Sequence, residues 1–529
     1  MQRFKATEKK SEIGILSDTP EKLTTSLADV ISKFQLKKHF AIFEFIKSKG
    51  LAVSSLLSML IIMPFAGFAS IHSLVKTGLY QFDFQGKKDA LYDIKNNPLI
   101  NWRKLLSLHA KRFIYLINKN IYLKSDKSTA LIADDTLIEK TGKKIEKVGF
   151  LHNHTSSGEA YILGYKLLVV GFWDGESFIP IDFSLHREKG NQKQADKLRS
   201  AVKTSLKKDE KQDVKIKKAR KKLRKKTLLL GSRLEKFQSN PTATNKKAYT
   251  NSKVQYELAK SQLSKAEKIK AINRKELEKN QKKLQRFYET RKMYGLTKKE
   301  RQEQYKKEVE SGLPGDTRRK EADQDKISVL LKIISRIVKN GIVPDYLLVD
   351  SWFYCFALLE KLSRLKRNAI KLISMVKINN QIFTLCENDK QMSLKHILKT
   401  KKRTTTRCKK FKSDYIKVKC TYKGIRVNLF FVRMGKCEKW KLLVTTDLSL
   451  SFIQIMELYQ IRWSIEVFFK ESKQYLHLNT CQSNCFDAQI ADITLSMMQF
   501  IMLSYYKRVN YQQSIGGLFK EISHELVMD

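Results

Sequence analysis

Apolar positions recur at two different periods along this 529-residue chain, and the switches between them divide it into segments. Through residue 125 the spacing is helical. Between Thr24 and Lys47 the apolar set is Leu27, Val30, Ile31, Phe34, Phe40, Ile42 and Phe45, with steps of three from Leu27 to Val30, Ile31 to Phe34 and Ile42 to Phe45. Residues 1–125 are therefore expected to form an all-helical domain. The run Leu51–Ser70 is long and apolar enough to resemble a membrane span. Pro64 interrupts it and small residues dilute it, so a buried helix pair is expected and no membrane association. From residue 126 to 187 the pattern turns to strands: Ser128–Asp135, then Tyr161–Trp173 and Ser177–Leu185, joined by the turn pair Asp174-Gly175.

Residues 188–325 read as two long helices, Gln192–Phe237 and Asn245–Met293, turning at Ser239–Thr242. Their sparse aliphatics (Leu198, Val202, Leu206, Leu258, Leu263, Ile269, Ile272, Leu277, Leu284) are the expected seam of a hairpin. Residues 326–377 then give an amphipathic helix, Lys326–Lys339, stopped by Asn340-Gly341. A short strand Asp345–Asp350, a helix through Leu359 and a strand Ala369–Lys377 follow. Residues 378–448 are strand-rich, with alternating runs at Tyr415–Tyr422 and Ile425–Arg433 and a further strand at Trp440–Thr446. Residues 449–485 hold a helix over Ile453–Leu478, and residues 486–529 are again helical. The order predicts an α/β chain: three strands, then strands alternating with helices, interrupted by a long helical hairpin and a β-rich insertion. That is the element order of an RNase H-like core preceded by an all-helical N-terminal domain.

Charge narrows the partners. Lys and Arg number 103 against 53 Asp and Glu, a formal net charge of +50. That excess exceeds what solubility requires and points to a polyanion, nucleic acid above all. Seven cysteines, scattered and odd in number, suit a reducing compartment. Neither Cys481-x3-Cys485 nor the trio Cys408, Cys420 and Cys437 has zinc-finger spacing. His152 and His154 flank a Ser-Ser-Gly loop and read as surface or DNA-contacting residues rather than metal ligands.

The chemistry concentrates in IQIMELYQIRWSIEVFFKESKQYLHL, residues 453–478. At about 100° per residue, Tyr459, Arg462, Glu466, Lys470 and Lys473 share one stripe of a helix, bordered by Trp463. Such a stripe is either a solvated face of weak ion pairs or the wall of a cleft. Two further acids end predicted strands. Asp350 closes Asp345–Asp350, and one of the neighbours Asp134 and Asp135 closes the first strand, since adjacent strand residues point to opposite faces.

The spacing Tyr459-x2-Arg462-x3-Glu466-x6-Lys473 resembles the YREK signature of bacterial insertion-sequence DDE transposases of the cut-and-paste type. The resemblance covers about Leu131–Leu478, apart from the lysine-rich hairpin, which is longer than that family leads one to expect. It implies Asp135, Asp350 and Glu466 as catalytic, metal-binding carboxylates. Asp135 is favoured because Thr136 follows it, with Asp134 as the alternative first acid. Two Mg²⁺ ions are implied as cofactors, replaceable by Mn²⁺, activating a nucleophile and stabilising the leaving oxygen. Tyr459, Arg462 and Lys473 are implied to bind DNA phosphates. Trp440 either stacks on a flipped base, as in relatives that cut through a DNA hairpin, or packs in its strand. The implied substrates are double-stranded transposon ends and target DNA, handled by a homodimer in the cytoplasm at the nucleoid. The helical N-terminal domain suits recognition of DNA ends or serves as a structural cap. Other readings are a non-catalytic, repressor-like DNA-binding protein and another RNase H-like nuclease.

Overall fold

The computed structural model describes residues 27–76, 88–153, 161–188, 192–290, 296, 298–435, 437, 439–510 and 514–519. His154, the start of the helix expected from Thr24, the end of the one expected to reach Met293 and most of the C-terminal tail lie outside them. Two compact units divide the chain. The first comprises Met1–Glu146, Lys166–His186 and Tyr305–Asp529, and the second Lys147–Tyr165 and Arg187–Gln304.

In the first unit the chain opens with helices α1 (Leu27–Phe34), α2 (Leu36–Ala41), α3 (Val53–Ile62), α4 (Ile71–Lys76), α5 (Lys88–Lys95) and α6 (Trp102–Lys119). Gln35, at φ 53°, breaks the first helical stretch into α1 and α2. No helix among the described residues is long and apolar enough to cross a membrane. In the Leu51–Ser70 run, α3 buries Val53, Leu56, Leu57, Leu60 and Ile61.

Strand β1 (Ala130–Glu139) begins the sheet. Two strands follow, β2 (Gly149–His152) and β3 (Tyr161–Trp173), and β3 forms a hairpin with β4 (Phe178–His186). The register of that hairpin shifts between Val170 and Gly171. Gly171 is required there, because a Cβ would sit 2.1 Å from the Phe178 ring. Beyond helices α7 (Gln192–Ser239), α8 (Ala243–Thr290) and α9 (Lys298–Gln302) come α10 (Pro314–Ala322), α11 (Lys326–Lys339), β5 (Tyr346–Val349), α12 (Phe356–Arg364) and β6 (Lys371–Val376). The β-rich stretch supplies β7 (Ile382–Leu385), β8 (Gln391–Ser393), α13 (Leu394–Lys401), β9 (Thr406–Cys408), β10 (Ser413–Tyr422), β11 (Ile425–Met434) and β12 (Lys441–Thr445). Helices α14 (Phe452–Gln460), α15 (Trp463–Tyr475) and α16 (Phe486–Val509) close the chain.

The sheet runs β4-β3-β1-β5-β6-β12-β11-β10, with β7 and β9 both on β10 and β8 beyond β7. Strands β1, β5 and β6 are parallel, and β12, β11 and β10 extend the sheet in antiparallel fashion. This mixed α/β arrangement is consistent with an RNase H-like core. Helix α16 is buried at nearly every position, as expected of a helix apolar on all sides. Two of its buried polar side chains bond to backbone: Gln499 donates to the Ile61 carbonyl at 2.9 Å and Ser496 to that of Leu476 at 2.8 Å. His109 of α6 lies 3.1 Å from the Met498 carbonyl, and burial holds its imidazole down to about 3, hence neutral. Arg319 of α10 is a buried clamp. It donates both to Glu146 (2.7 and 2.9 Å) and to Asp487 (2.9 and 2.9 Å).

The second unit pairs β2 with the first residues of β3, Gly149 opposite Gly164. Its bulk is the antiparallel pair α7 and α8, of 48 residues each. The expected aliphatic seam is only partly right. Leu277 is buried, but Leu206, Leu258, Ile269 and Ile272 are exposed. Small and polar residues (Ser205, Gln212, Ser252, Ala259) with Ile216 fill the seam instead. Hydrogen bonds across it, from Gln212 Nε2 to the Ala266 carbonyl at 2.9 Å and from Asn280 to Ser205 at 2.9 Å, replace knobs-into-holes packing.

Candidate active site

Strand β1 carries Asp134 and Asp135 in its middle rather than at its end. Its parallel pairing with β5 covers only Ala130–Ala133, the last pair being Ala133 with Val349. The next step of that register sets Asp134 level with Asp350, where β5 has stopped and the chain turns. Asp350 makes the turn itself, its Oδ1 accepting from the backbone N–H groups of Trp352 (2.9 Å) and Phe353 (3.3 Å).

The single helix expected over Ile453–Leu478 is two. Backbone bonds from Ile461 to Leu458, Arg462 to Tyr459, Ser464 to Ile461 and Ile465 to Arg462 tighten the chain to an i,i+3 pattern between α14 and α15. Arg462 occupies this break, with Glu466 one turn into α15. The Arg462 guanidinium donates from Nη1 to Asp134 Oδ2 at 2.7 Å and from Nη2 to Glu466 Oε1 at 2.5 Å. It thus joins carboxylates from β1 and α15, both side chains no more than one-third exposed.

Burial raises the Asp134 carboxyl to about 6, against the opposing pull of Arg462, and the nearby Asp350 and Asp135 charges push the same way as burial. Asp134 and Asp350 therefore sense each other across the parallel pair. Asp135 faces elsewhere. Its Oδ2 accepts from Lys326 Nζ at 2.6 Å, and that ammonium lies 3.8 Å from the centroid of the half-exposed Trp352 ring. On the same side His186 is buried, and its imidazole is lowered to about 4 by burial and by Lys326. The neighbourhood expected for Asp135 is thus the one Asp134 has, because strand alternation lets only one of the two face α15.

Tyr459 reaches the same edge of the sheet, its hydroxyl 3.4 Å from the Val349 carbonyl, and burial pushes the phenol up to about 12. Lys473 is turned into the protein. Its ammonium donates to Thr136 Oγ1 at 2.7 Å and to the Leu137 carbonyl at 2.9 Å, and burial lowers its pKa. It ties α15 to β1 two residues beyond Asp134. Trp440 packs under the Arg433 guanidinium, 5.1 Å from the ring centroid, and Arg433 is bonded to Asp414. Among the described residues no three His, Cys, Asp or Glu side chains are gathered closely enough to hold a metal ion, since Arg462 stands between Asp134 and Glu466. The sequence assigns no site role to Lys326, and Thr136 serves there only to choose between the two acids. Their only signal was position, a lysine opening an amphipathic helix and a threonine after two acids.

Residues 309–501 match the family model of the transposase DDE domain. The matched stretch includes Asp350, Tyr459, Arg462, Glu466 and Lys473 and begins after Asp134. No curated protein matches the chain. The family match supports a DDE transposase.

Proposed function

We propose that the chain is a cut-and-paste transposase of the YREK-signature group, which cuts the terminal repeats of an insertion sequence and joins the freed 3′ ends to target DNA. The observation that carries this reading is the guanidinium of Arg462 joining Asp134 to Glu466, with Asp350 level with Asp134 on the neighbouring parallel strand. Asp134 and Glu466, 332 residues apart, share one guanidinium, Asp350 lies level with Asp134, and the family match falls on two of the three acids. We assign Asp134, rather than Asp135, as the first acid.

The donor set suits a hard divalent cation. Carboxylate oxygens are its preferred ligands, and the mutual repulsion that helps raise Asp134 is what a bound cation relieves. Asp134, Asp350 and Glu466 would hold such an ion, which supplies an activated attacking oxygen and stabilises the leaving one. Arg462 orients both Asp134 and Glu466, and its charge is available to a phosphate once the carboxylates have a metal. Tyr459 packs its ring within 5.8 Å of that guanidinium and restricts it. Lys473 positions α15 on β1 through Thr136 and Leu137. Asp135 fixes Lys326 beneath Trp352.

A labelled duplex carrying the terminus of the element that encodes the chain, incubated with Mg²⁺ or Mn²⁺, tests the assignment. Wild type nicks it; Asp134→Asn and Glu466→Gln bind it but cut more slowly by orders of magnitude; Asp135→Asn keeps measurable cutting. A wild type that binds the end tightly and never nicks it returns the protein to the repressor reading. An inactive Asp135→Asn beside an active Asp134→Asn reverses the choice of acid.

A further inference from the structure

The hairpin of α7 and α8 carries its charge unevenly. Across residues 214–267, the half that contains the turn, there are 16 Lys and Arg and three acids, Glu235, Glu257 and Glu267. In the remaining half the acids return and pair. Lys208 meets Glu276 at 3.5 Å and Lys270 bonds Asp213, while at the edge of the turn half Arg220 meets Glu267 at 3.0 Å. Nine of the cations fall between Lys215 and Lys226 with no acid among them. At about 100° per residue they occupy the whole circumference of α7 that the seam leaves open. A helix designed only to be soluble intersperses both signs. This one concentrates a single sign at considerable self-repulsion.

We propose that the turn half of this hairpin is a binding surface for the phosphate backbone of duplex nucleic acid, read without regard to sequence. Charge complementarity selects the partner. A second copy of the hairpin would bring like charges together. An interfacial membrane helix needs a broad apolar face opposite its lysines, and here cations fill every exposed direction except at scattered residues such as Leu228. A duplex presents one negative charge per roughly 1.7 Å, and the stretch of α7 from Val214 to Ser239 reaches about 39 Å, so some 11 base pairs can lie along the turn half. The surface is separate in sequence from residues 309–501 and requires no cutting, so it stands or falls independently of the proposed chemistry.

The test uses the full chain and a fluorescent duplex of about 40 base pairs and arbitrary sequence, roughly 3.5 times the reach of the turn half, in chelator. Lys217, Lys218, Lys221, Lys222, Lys225 and Lys226 are changed together to Gln, which keeps helix propensity, and circular dichroism confirms that the helix content persists. In a second variant Lys268, Lys275, Lys279, Lys282 and Lys283 of the other half become Gln. The first variant should lose at least tenfold in affinity at moderate salt. Its slope of log affinity against log salt should fall by roughly 3 if half of the six cations meet phosphates. The second should change less than half as much. Unchanged affinity and slope in the first variant overturn the proposal. So does a larger loss of binding to phosphatidylserine vesicles than to the duplex.

Discussion

Replacing Asp134 with Asn tests the electrostatics of the candidate site without requiring any substrate. Asp134 is raised from 3.8 to about 6, with burial as the main cause, and its side chain is 17% exposed. A carboxyl whose folded value lies above its unfolded one holds a proton in the folded chain that the unfolded chain has released. Between about pH 4 and pH 6 folding therefore takes up a proton, and stability falls as pH rises through that window. The gap is about 2 pH units, so the full loss on reaching neutral pH is about 3 kcal/mol. Asn cannot titrate, but its amide oxygen still accepts from Arg462, which also keeps Glu466. In chelator the variant and wild type should be nearly equal near pH 4, and the variant should be more stable by about 3 kcal/mol near pH 7. Urea unfolding followed by tryptophan fluorescence, to which the buried Trp102 contributes, repeated across the pH range, gives the difference. Saturating Mg²⁺ should then stabilise the wild type more than the variant at neutral pH. Parallel pH profiles for the two proteins would refute the burial and repulsion argument, and with it the face assigned to Asp134.

Arg319→Met removes the buried guanidinium that neutralises the carboxylates of Glu146 and Asp487, and should cost about 3–5 kcal/mol in urea unfolding at neutral pH. Gly171→Ala drives a methyl into the Phe178 ring and to within 2.9 Å of the Ile179 carbonyl, and should lower stability by about 1–3 kcal/mol; adding Phe178→Leu should recover part of the loss, by thermal melting.

Strands written as unbroken apolar runs were legible in the chain. Tyr161–Trp173 was read to the residue, and the short buried β5 was found because Leu347, Leu348 and Val349 are followed by an acid and a turn. The helical hairpin was legible from composition, its seam was not. A Lys-rich pair of helices can expose Ile272 and bury Ser205, because polar side chains bond across the seam. Which of two adjacent aspartates faces the cleft depends on the register of β1 against β5, set by residues more than 200 positions apart. The break at Arg462 left no mark either: the apolar period runs through it, and only the i,i+3 backbone bonds reveal it. Lys473 had the spacing of a phosphate ligand, but Thr136 and Leu137, which hold it inward, belong to a distant segment.

Arg462 and Asp134 are 328 residues apart in the chain, whereas the two helices of the hairpin are separated only by the turn at Asn240-Pro241-Thr242. A ribosome adding roughly 5–20 residues per second needs about 15–65 s to pass from one to the other. The hairpin's contacts are local and form on the microsecond-to-millisecond scale of helical pairs as soon as the chain clears the exit tunnel. During synthesis the polycationic arm is thus finished well before β1 can receive α15. For roughly 9–35 s, the time needed to pass from Thr290 to Arg462, the nascent chain is a complete electrostatic trap attached to an unassembled acid cluster. Any polyanion captured in that interval lies beside the polypeptide before Arg462 and Glu466 have been added to the chain.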